Sequence, residues 1–346
     1  MRKIITFGEI MLRLSPSILG ERLTQANQFR IEPGGSEANV AIALSNLGME
    51  TSFISALPTN ALSERIIQEF NKYRVDSQDV VYRGNKLGIY WTETGVGPRS
   101  SYVIYDRDNT AFSEIEIIDF NWDKIFDNGD WFHFSGISPA ISSNVYEVLL
   151  DAVSKISIPY SVDLNYRSKL WNWVDKDSKS IGEYMTLLCD KATLIGGNES
   201  DFQNIFNLKT SFTKQEDSFY EISRMCFEKF PQLKYISISN RDSKSASSNN
   251  WNGFLFVKKS NEKIESYESI KYQLEPIVDR VGTGDSFISG IIYGLVNKSE
   301  FTYKEIVDFA STLSALNHTT LGDASNFSIK DVLGVLQSKG NGRILR

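Results

Sequence analysis

Asp279-Arg280-Val281-Gly282-Thr283-Gly284-Asp285-Ser286-Phe287 runs directly into Ile288-Ser289-Gly290-Ile291-Ile292-Tyr293-Gly294-Leu295. Two glycines one residue apart allow a tight turn whose backbone comes close to a ligand. The apolar residues behind them have the spacing of a buried helix. Such a turn points several unpaired N–H groups at one spot, and the helix dipole favours an anion there. Asp285 places a carboxylate in the middle of this anion-attracting turn. Capping the helix is one use for it. Taking a proton from an alcohol as that alcohol attacks a phosphate is the other.

Working outward, short apolar strands alternate with helices. Lys3 to Phe7, Thr51 to Ser55, Trp131 to Ser135, Pro159 to Asp163, Thr193 to Gly196 and Tyr235 to Ser239 read as strands. Ser63 to Tyr73, Asn144 to Lys155, Ser180 to Cys189, Glu216 to Phe230, Tyr303 to Leu316 and Ser328 to Leu336 read as helices. This rhythm predicts an α/β fold, a doubly wound and mostly parallel sheet flanked by helices. In such folds sites gather at strand C-terminal ends, where Glu9, Asp163 to Arg167, Asn198 to Asp201 and the loop after Ser239 fall. Near the start, Gly34-Gly35 make a turn, Ser36 is a candidate N-cap and Gly48 a helix stop.

Residues 80–113 have a different character. Val80 to Arg83, Gly88 to Glu93 and Ser101 to Tyr105 are short, aromatic and β-rich, with no helix between them. They predict antiparallel strands projecting from the body. Together with residues 10–32 they form a small β lid on one domain spanning 1–346. Ser243 to Asn250 is polar and reads as a loop or hairpin. An aromatic lid with an open edge and an apolar face predicts a homodimer, or an assembly of dimers, built through the lid.

The net charge of −6 argues against a general binder of nucleic acid or anionic membrane. No apolar run is long enough to span a bilayer, and Met1 to Glu9 lacks the apolar core of a signal peptide, so a cytoplasmic location is expected. Cys189 and Cys226 are far apart and read as reduced core residues, not zinc ligands. His133 and His318 cannot make a His-rich metal cluster. Gly282-x-Gly284 does not continue as Gly-x-Gly-x-x-Gly, and neither a Walker motif nor the protein-kinase set is present.

Two segments taken together carry a resemblance. Gly34-Gly35-Ser36-Glu37-Ala38-Asn39-Val40-Ala41 and Asp279 to Phe287 resemble the N- and C-terminal signatures of the ribokinase-like (PfkB) carbohydrate kinases. The likeness covers nearly the whole chain. Asp163-x-Asn165-x-Arg167 followed by Leu170-Trp171 is similar to a segment of the family's 2-keto-3-deoxygluconate kinases.

The resemblance implies a ribokinase-like fold, ATP and Mg²⁺ as cofactors, and Asp285 as general base, with Gly282, Thr283 and Gly284 forming an anion hole. It implies Gly34, Gly35, Tyr90, Tyr105, Arg107 and Arg167 around the sugar acid. Two guanidinium groups suit a carboxylate, because Arg presents a matching fork. The plainer readings are that Arg167 reaches an ATP phosphate, that Arg107 is a solvated hinge charge, and that the tyrosines merely pack. On the nucleotide side the resemblance implies Asn165, Asn198, Ser239 and His318, with His318 lining an adenine pocket. Asn198 and Asp201 would meet magnesium through water, although the family's Asn-x-x-Glu has become Asn-x-x-Asp here; the plainer reading of Asn198 is a helix cap. A monovalent cation near Asp279 stays open. So do a neutral sugar such as fructose, another deoxy-sugar acid or a nucleoside as acceptor, and a catalytically silent sensor of sugar or nucleotide.

Overall fold

A computed structural model of the chain describes residues 2–175, 179–260 and 263–338. Its main sheet has ten strands. Nine lie in the order Lys263–Glu268, Ser248–Ser260, Tyr235–Ser245, Leu194–Gly197, Tyr160–Asp163, Trp131–Ser135, Lys3–Phe7, Glu50–Ile54, Val75–Asp76, and Tyr272–Leu274 pairs alongside Ser248–Ser260. From Tyr235–Ser245 to Val75–Asp76 every neighbour is parallel. The strands beyond it are antiparallel. The central strands are apolar on both faces because helices cover both. One face packs Phe132, Leu149, Ile195 and Ile236 into a core; the other packs Ile4, Val40, Leu44, Ile291 and Leu313. The expected doubly wound α/β fold is therefore present, and its strand ends bring Glu9, Asp163 and Asn198 to one edge.

Several local expectations change. Tyr235–Ser245 continues well beyond Ser239 and pairs with Ser248–Ser260, so the polar stretch is a long hairpin whose two strands bond residue by residue. Val81–Tyr82 does not join the lid; it pairs with Ala56–Leu57. The lid sheet runs Phe29–Gly34, Met11–Pro16, Ile89–Glu93, Tyr102–Asp106. Ile89–Glu93 and Tyr102–Asp106 pair antiparallel, as expected, and Met11–Pro16 joins them parallel to Ile89–Glu93.

Strand register sorts the lid into two faces. Ile31, Leu14, Trp91 and Ile104 form one row, with Ile31 and Ile104 exposed. The next row, Glu32, Arg13, Tyr90 and Tyr105, lies on the opposite face. Arg13, Tyr90 and Tyr105 thus belong to the side that closes over the body.

Candidate active site

A cleft of about 1330 Å³ lies between the lid and the strand ends. At its base the helix Thr283–Val296 starts immediately after Gly282, which has φ 74. That left-handed backbone suits glycine, and an added Cβ would overlap the carbonyl of Asp323. Asp285 sits in the first turn of this helix, but it is not the cap, since Gly282 is. Its carboxylate receives two side chains from the other glycine-led helix, Ser36–Asn46. Ser36 Oγ donates to Oδ1 at 2.7 Å and Asn39 Nδ2 donates to Oδ2 at 2.7 Å. Ser36 is therefore not the N-cap expected of it; Gly35 holds that position, and the hydroxyl goes to Asp285. Burial pushes the Asp285 pKa above the usual carboxylate value, against the hydrogen bonds from Asn39 and Ser36 and the charge of Arg167.

Three arginines face the same end of the cleft. Arg280, within the glycine turn, donates Nη2 to the Ser245 carbonyl. Arg241 donates Nη2 to Thr283 Oγ1 at 2.9 Å and stacks on Trp251. Arg167 is exposed and, among the described residues, hydrogen-bonds only to the Tyr166 carbonyl, at 3.3 Å. Enclosure by the cleft walls, then repulsion from Arg280 and Arg167, pushes Arg241 down to about 10 although its surface stays open to the cleft. Arg241 and Arg280, without a carboxylate partner among the described residues and beside a helix N-terminus, make a site for a polyanion, and Arg167 stands open next to them. Arg241 and Arg280 were not singled out from the sequence. Arg280 lay inside the opening stretch; Arg241 is brought in by the hairpin.

The sugar side is partly pre-engaged. Arg107, 8% exposed, donates both Nε and Nη2 to Glu9 Oε2, and Thr110 donates to Glu9 Oε1 at 2.6 Å. It is thus not a solvated hinge charge, and only part of its fork is left for a ligand. The Tyr90 ring lines the cleft, but its hydroxyl donates to Asp323. Tyr105 is 50% exposed, with its ring 5.7 Å from that of Tyr90. Gly35 lines the cleft directly; Gly34 lies behind, so close to the Tyr90 hydroxyl that no side chain would fit. Glu37, on the cleft floor, accepts Ser135 N, Ser135 Oγ and Ser138 Oγ on one oxygen. Burial pushes it up to about 7.

On the nucleotide side the outcome is mixed. Asn198 and Asp201 form a reciprocal capping box on the helix Glu199–Phe206, and Asp201 also accepts the Tyr166 N–H at 3.2 Å. The capping reading of Asn198 thus holds, and both Asp201 oxygens are taken. Asp163, buried beside them on the cleft wall, has no side-chain hydrogen bond among the described residues. Burial raises its pKa well above the usual range, and the charges of Asp201 and Asp285 add to this. Asn165 turns back at φ 35 and donates to Ser36 Oγ at 3.3 Å. Ser239 lines the cleft.

His318 does not line it. It is 1% exposed and stands behind Trp251 at 5.3 Å, with Nδ1 against the Ser314 carbonyl, and burial pushes it down to about 3. Asp279 is paired with Arg13 at 2.7 Å, so the carboxylate open to a monovalent cation already has a cationic partner. No cluster of His, Cys, Asp or Glu able to hold a metal by itself occurs among the described residues. Cys189 and Cys226 are buried and free, as expected.

A family model for pfkB family carbohydrate kinases matches residues 1–330. A 2-dehydro-3-deoxygalactonokinase of Haloferax volcanii is 36% identical over 173 residues, 49% of this chain and 54% of that protein. The chain thus aligns with about half the length of that relative. A 5-dehydro-2-deoxygluconokinase of Clostridium botulinum is 22% identical over 328 residues, 91% of this chain and 86% of the relative. The crystal structure of a 2-dehydro-3-deoxygluconokinase from Thermotoga maritima is similar at 33% identity with a TM-score of 0.89, covering 97% of this chain and 100% of that one. With both signature segments meeting at Asp285, this chain belongs to the pfkB family of carbohydrate kinases.

Proposed function

We propose that the chain is an ATP-dependent kinase of 2-keto-3-deoxygluconate that phosphorylates its 6-hydroxyl. The observation that carries this reading is Asp285, a buried carboxylate held by Ser36 and Asn39 at the mouth of an anion-binding turn. Asp285 accepts the proton of the attacking hydroxyl. The N–H groups around Gly282, Thr283 and Gly284, with Arg241 and Arg280, hold the phosphoryl oxygens as charge spreads over them. Bound MgATP supplies the phosphoryl group. Asp163, whose carboxylate has no donor among the described residues, and Asn198 are the residues suited to magnesium-bound water. The acceptor's carboxylate meets Arg167 and the part of Arg107 that Glu9 leaves open, while Tyr90 and Tyr105 cover the sugar.

The Haloferax relative, named for a galactonate substrate, favours a second reading in which the acceptor is the epimeric deoxy-sugar acid. A coupled ATP assay with 2-keto-3-deoxygluconate, its galacto epimer, fructose and adenosine separates these. Turnover of fructose or adenosine ahead of both acids would overturn the sugar-acid reading. Absence of turnover on all four would favour the sensor.

Among the described residues no helix is long and apolar enough to cross a membrane. The proposed enzyme is cytoplasmic and dimerises through the lid row Ile31, Leu14, Trp91 and Ile104, whose end residues Ile31 and Ile104 are exposed.

A further inference from the structure

We propose that Arg13 is a positioning residue that ties the lid to the phosphate-holding turn, so that acceptor binding under the lid tightens nucleotide binding at the turn. The proposal rests on the sugar-kinase reading for the nature of the two ligands. Arg13 sits in the middle of the lid strand Met11–Pro16, yet it is only 1% exposed. Its Nη2 donates to Asp279 Oδ2 at 2.7 Å and its Nη1 donates to Asp323 Oδ1. Both carboxylates are themselves fastened to the turn. Asp279 Oδ1 accepts the N–H groups of Arg280 at 2.7 Å and Val281 at 3.1 Å. Asp323 presses its backbone carbonyl against Gly282, where no Cβ would fit.

A second lid strand reaches the same point, because Tyr90 donates its hydroxyl to the other oxygen of Asp323. Strand register places Arg13 beside Tyr90 and Tyr90 beside Tyr105. Tyr105 is the half-exposed ring of this face, so an acceptor packed on it bears on the strands that carry Arg13. Replacing a buried charge cluster by apolar side chains is often neutral or stabilising. Stability alone therefore gives little reason for one guanidinium and two carboxylates here, and Arg13 Nε is even left without an acceptor among the described residues. A role in fixing the relative position of two parts gives a better one. With three charges out of water, the lid strand and the turn have one good arrangement, and loosening either loosens the other.

Coupling of this kind is reciprocal, so it is read from either ligand. Titration calorimetry of a non-hydrolysable ATP analogue with Mg²⁺, with and without saturating 2-keto-3-deoxygluconate, measures it. The wild type is expected to bind the analogue ~10-fold tighter with the acceptor present. Arg13→Lys, and the charge-balanced pair Arg13→Met with Asp323→Asn, are expected to cut that factor to about 2-fold while changing acceptor-free nucleotide affinity by less than about 3-fold. Equal affinities in the wild type with whichever acceptor of the substrate panel it turns over, or the full factor in a folded variant, would overturn the proposal. Amide hydrogen exchange on the wild type provides a test without variants. Acceptor alone must slow exchange of Arg280 and Val281, and unchanged exchange counts against the coupling. If another acceptor from the substrate panel replaces 2-keto-3-deoxygluconate and still couples, the substrate reading fails and the role of Arg13 stands.

Discussion

Asn39 Nδ2 donates to Asp285 Oδ2 at 2.7 Å, across 246 positions of the chain. Ser36, one turn earlier on the same helix, donates to the other oxygen. Two helix N-termini thus converge on a single carboxylate, and both dipoles favour its anionic form. This offsets part of the burial that raises its pKa, and it fixes the carboxylate beside two helix N-termini.

Asp285→Asn keeps the shape and removes the base. We expect kcat to fall by ~10²- to 10⁴-fold with both ligands still bound. The wild-type rate should also fall on acidification while ordinary aspartates remain ionised, because the folded pKa lies above 3.8 and the protonated form cannot accept a proton. A pH profile of kcat/KM checks this; an acid limb at or below 3.8 contradicts it.

Arg167 has no carboxylate partner to lose among the described residues, so Arg167→Ala should weaken sugar-acid binding without unfolding the protein. A rise in KM of ~10- to 100-fold, the worth of a charge-assisted hydrogen bond, is expected in steady-state kinetics. Arg107→Ala differs. It leaves Glu9 buried without a cation, and a loss of ~3–5 kcal/mol should appear in denaturant unfolding as well.

Gly282→Ala places a methyl group against the Asp323 carbonyl at φ 74. The cost should be on the order of 3 kcal/mol from backbone strain and overlap together. Thermal unfolding beside nucleotide titration measures both consequences. Gly284, whose added Cβ meets open space, should tolerate alanine far better in the melting experiment.

Glu37 is held protonated by burial up to about 7. Between its ordinary 4.5 and about 7 the folded state keeps a proton that the unfolded chain has lost, so stability falls as pH rises through that window. Glu37→Gln removes this dependence. It should gain on the order of 2 kcal/mol over the wild type at pH 8, and much less at pH 5, in paired denaturant curves. Parallel curves for the two proteins would refute the assignment.

The lid row offers a test of assembly. Ile31→Lys combined with Ile104→Lys puts two charges on the exposed face and leaves the cleft face untouched. Light scattering should find a wild-type dimer and a variant monomer. A monomeric wild type at micromolar concentration would dispose of the lid dimer.

The legible part of this protein is the part written in short-range terms. Alternating apolar strands and helices specify a doubly wound sheet, since each segment's burial pattern is local. The glycine turn before Asp285 is legible for the same reason, since Gly282 and the helix start lie within a few residues.

Side-chain partners belong to the tertiary structure. Whether Arg107 met Glu9, and whether Arg13 reached Asp279 and Asp323, depended on groups up to 310 positions away, where sequence spacing carries no geometry. His318 had the composition of a pocket residue, but Trp251 stands in front of it. Arg241 reached Thr283 and the cleft because a polar stretch paired into a hairpin. Backbone sterics and burial periodicity act over neighbouring residues, so the sheet, the glycine turn and the place of Asp285 in the first turn of its helix follow from the sequence alone. The tertiary structure decided which charges are spent on one another and which are left for ligands, because distant side chains compete for the same few buried partners.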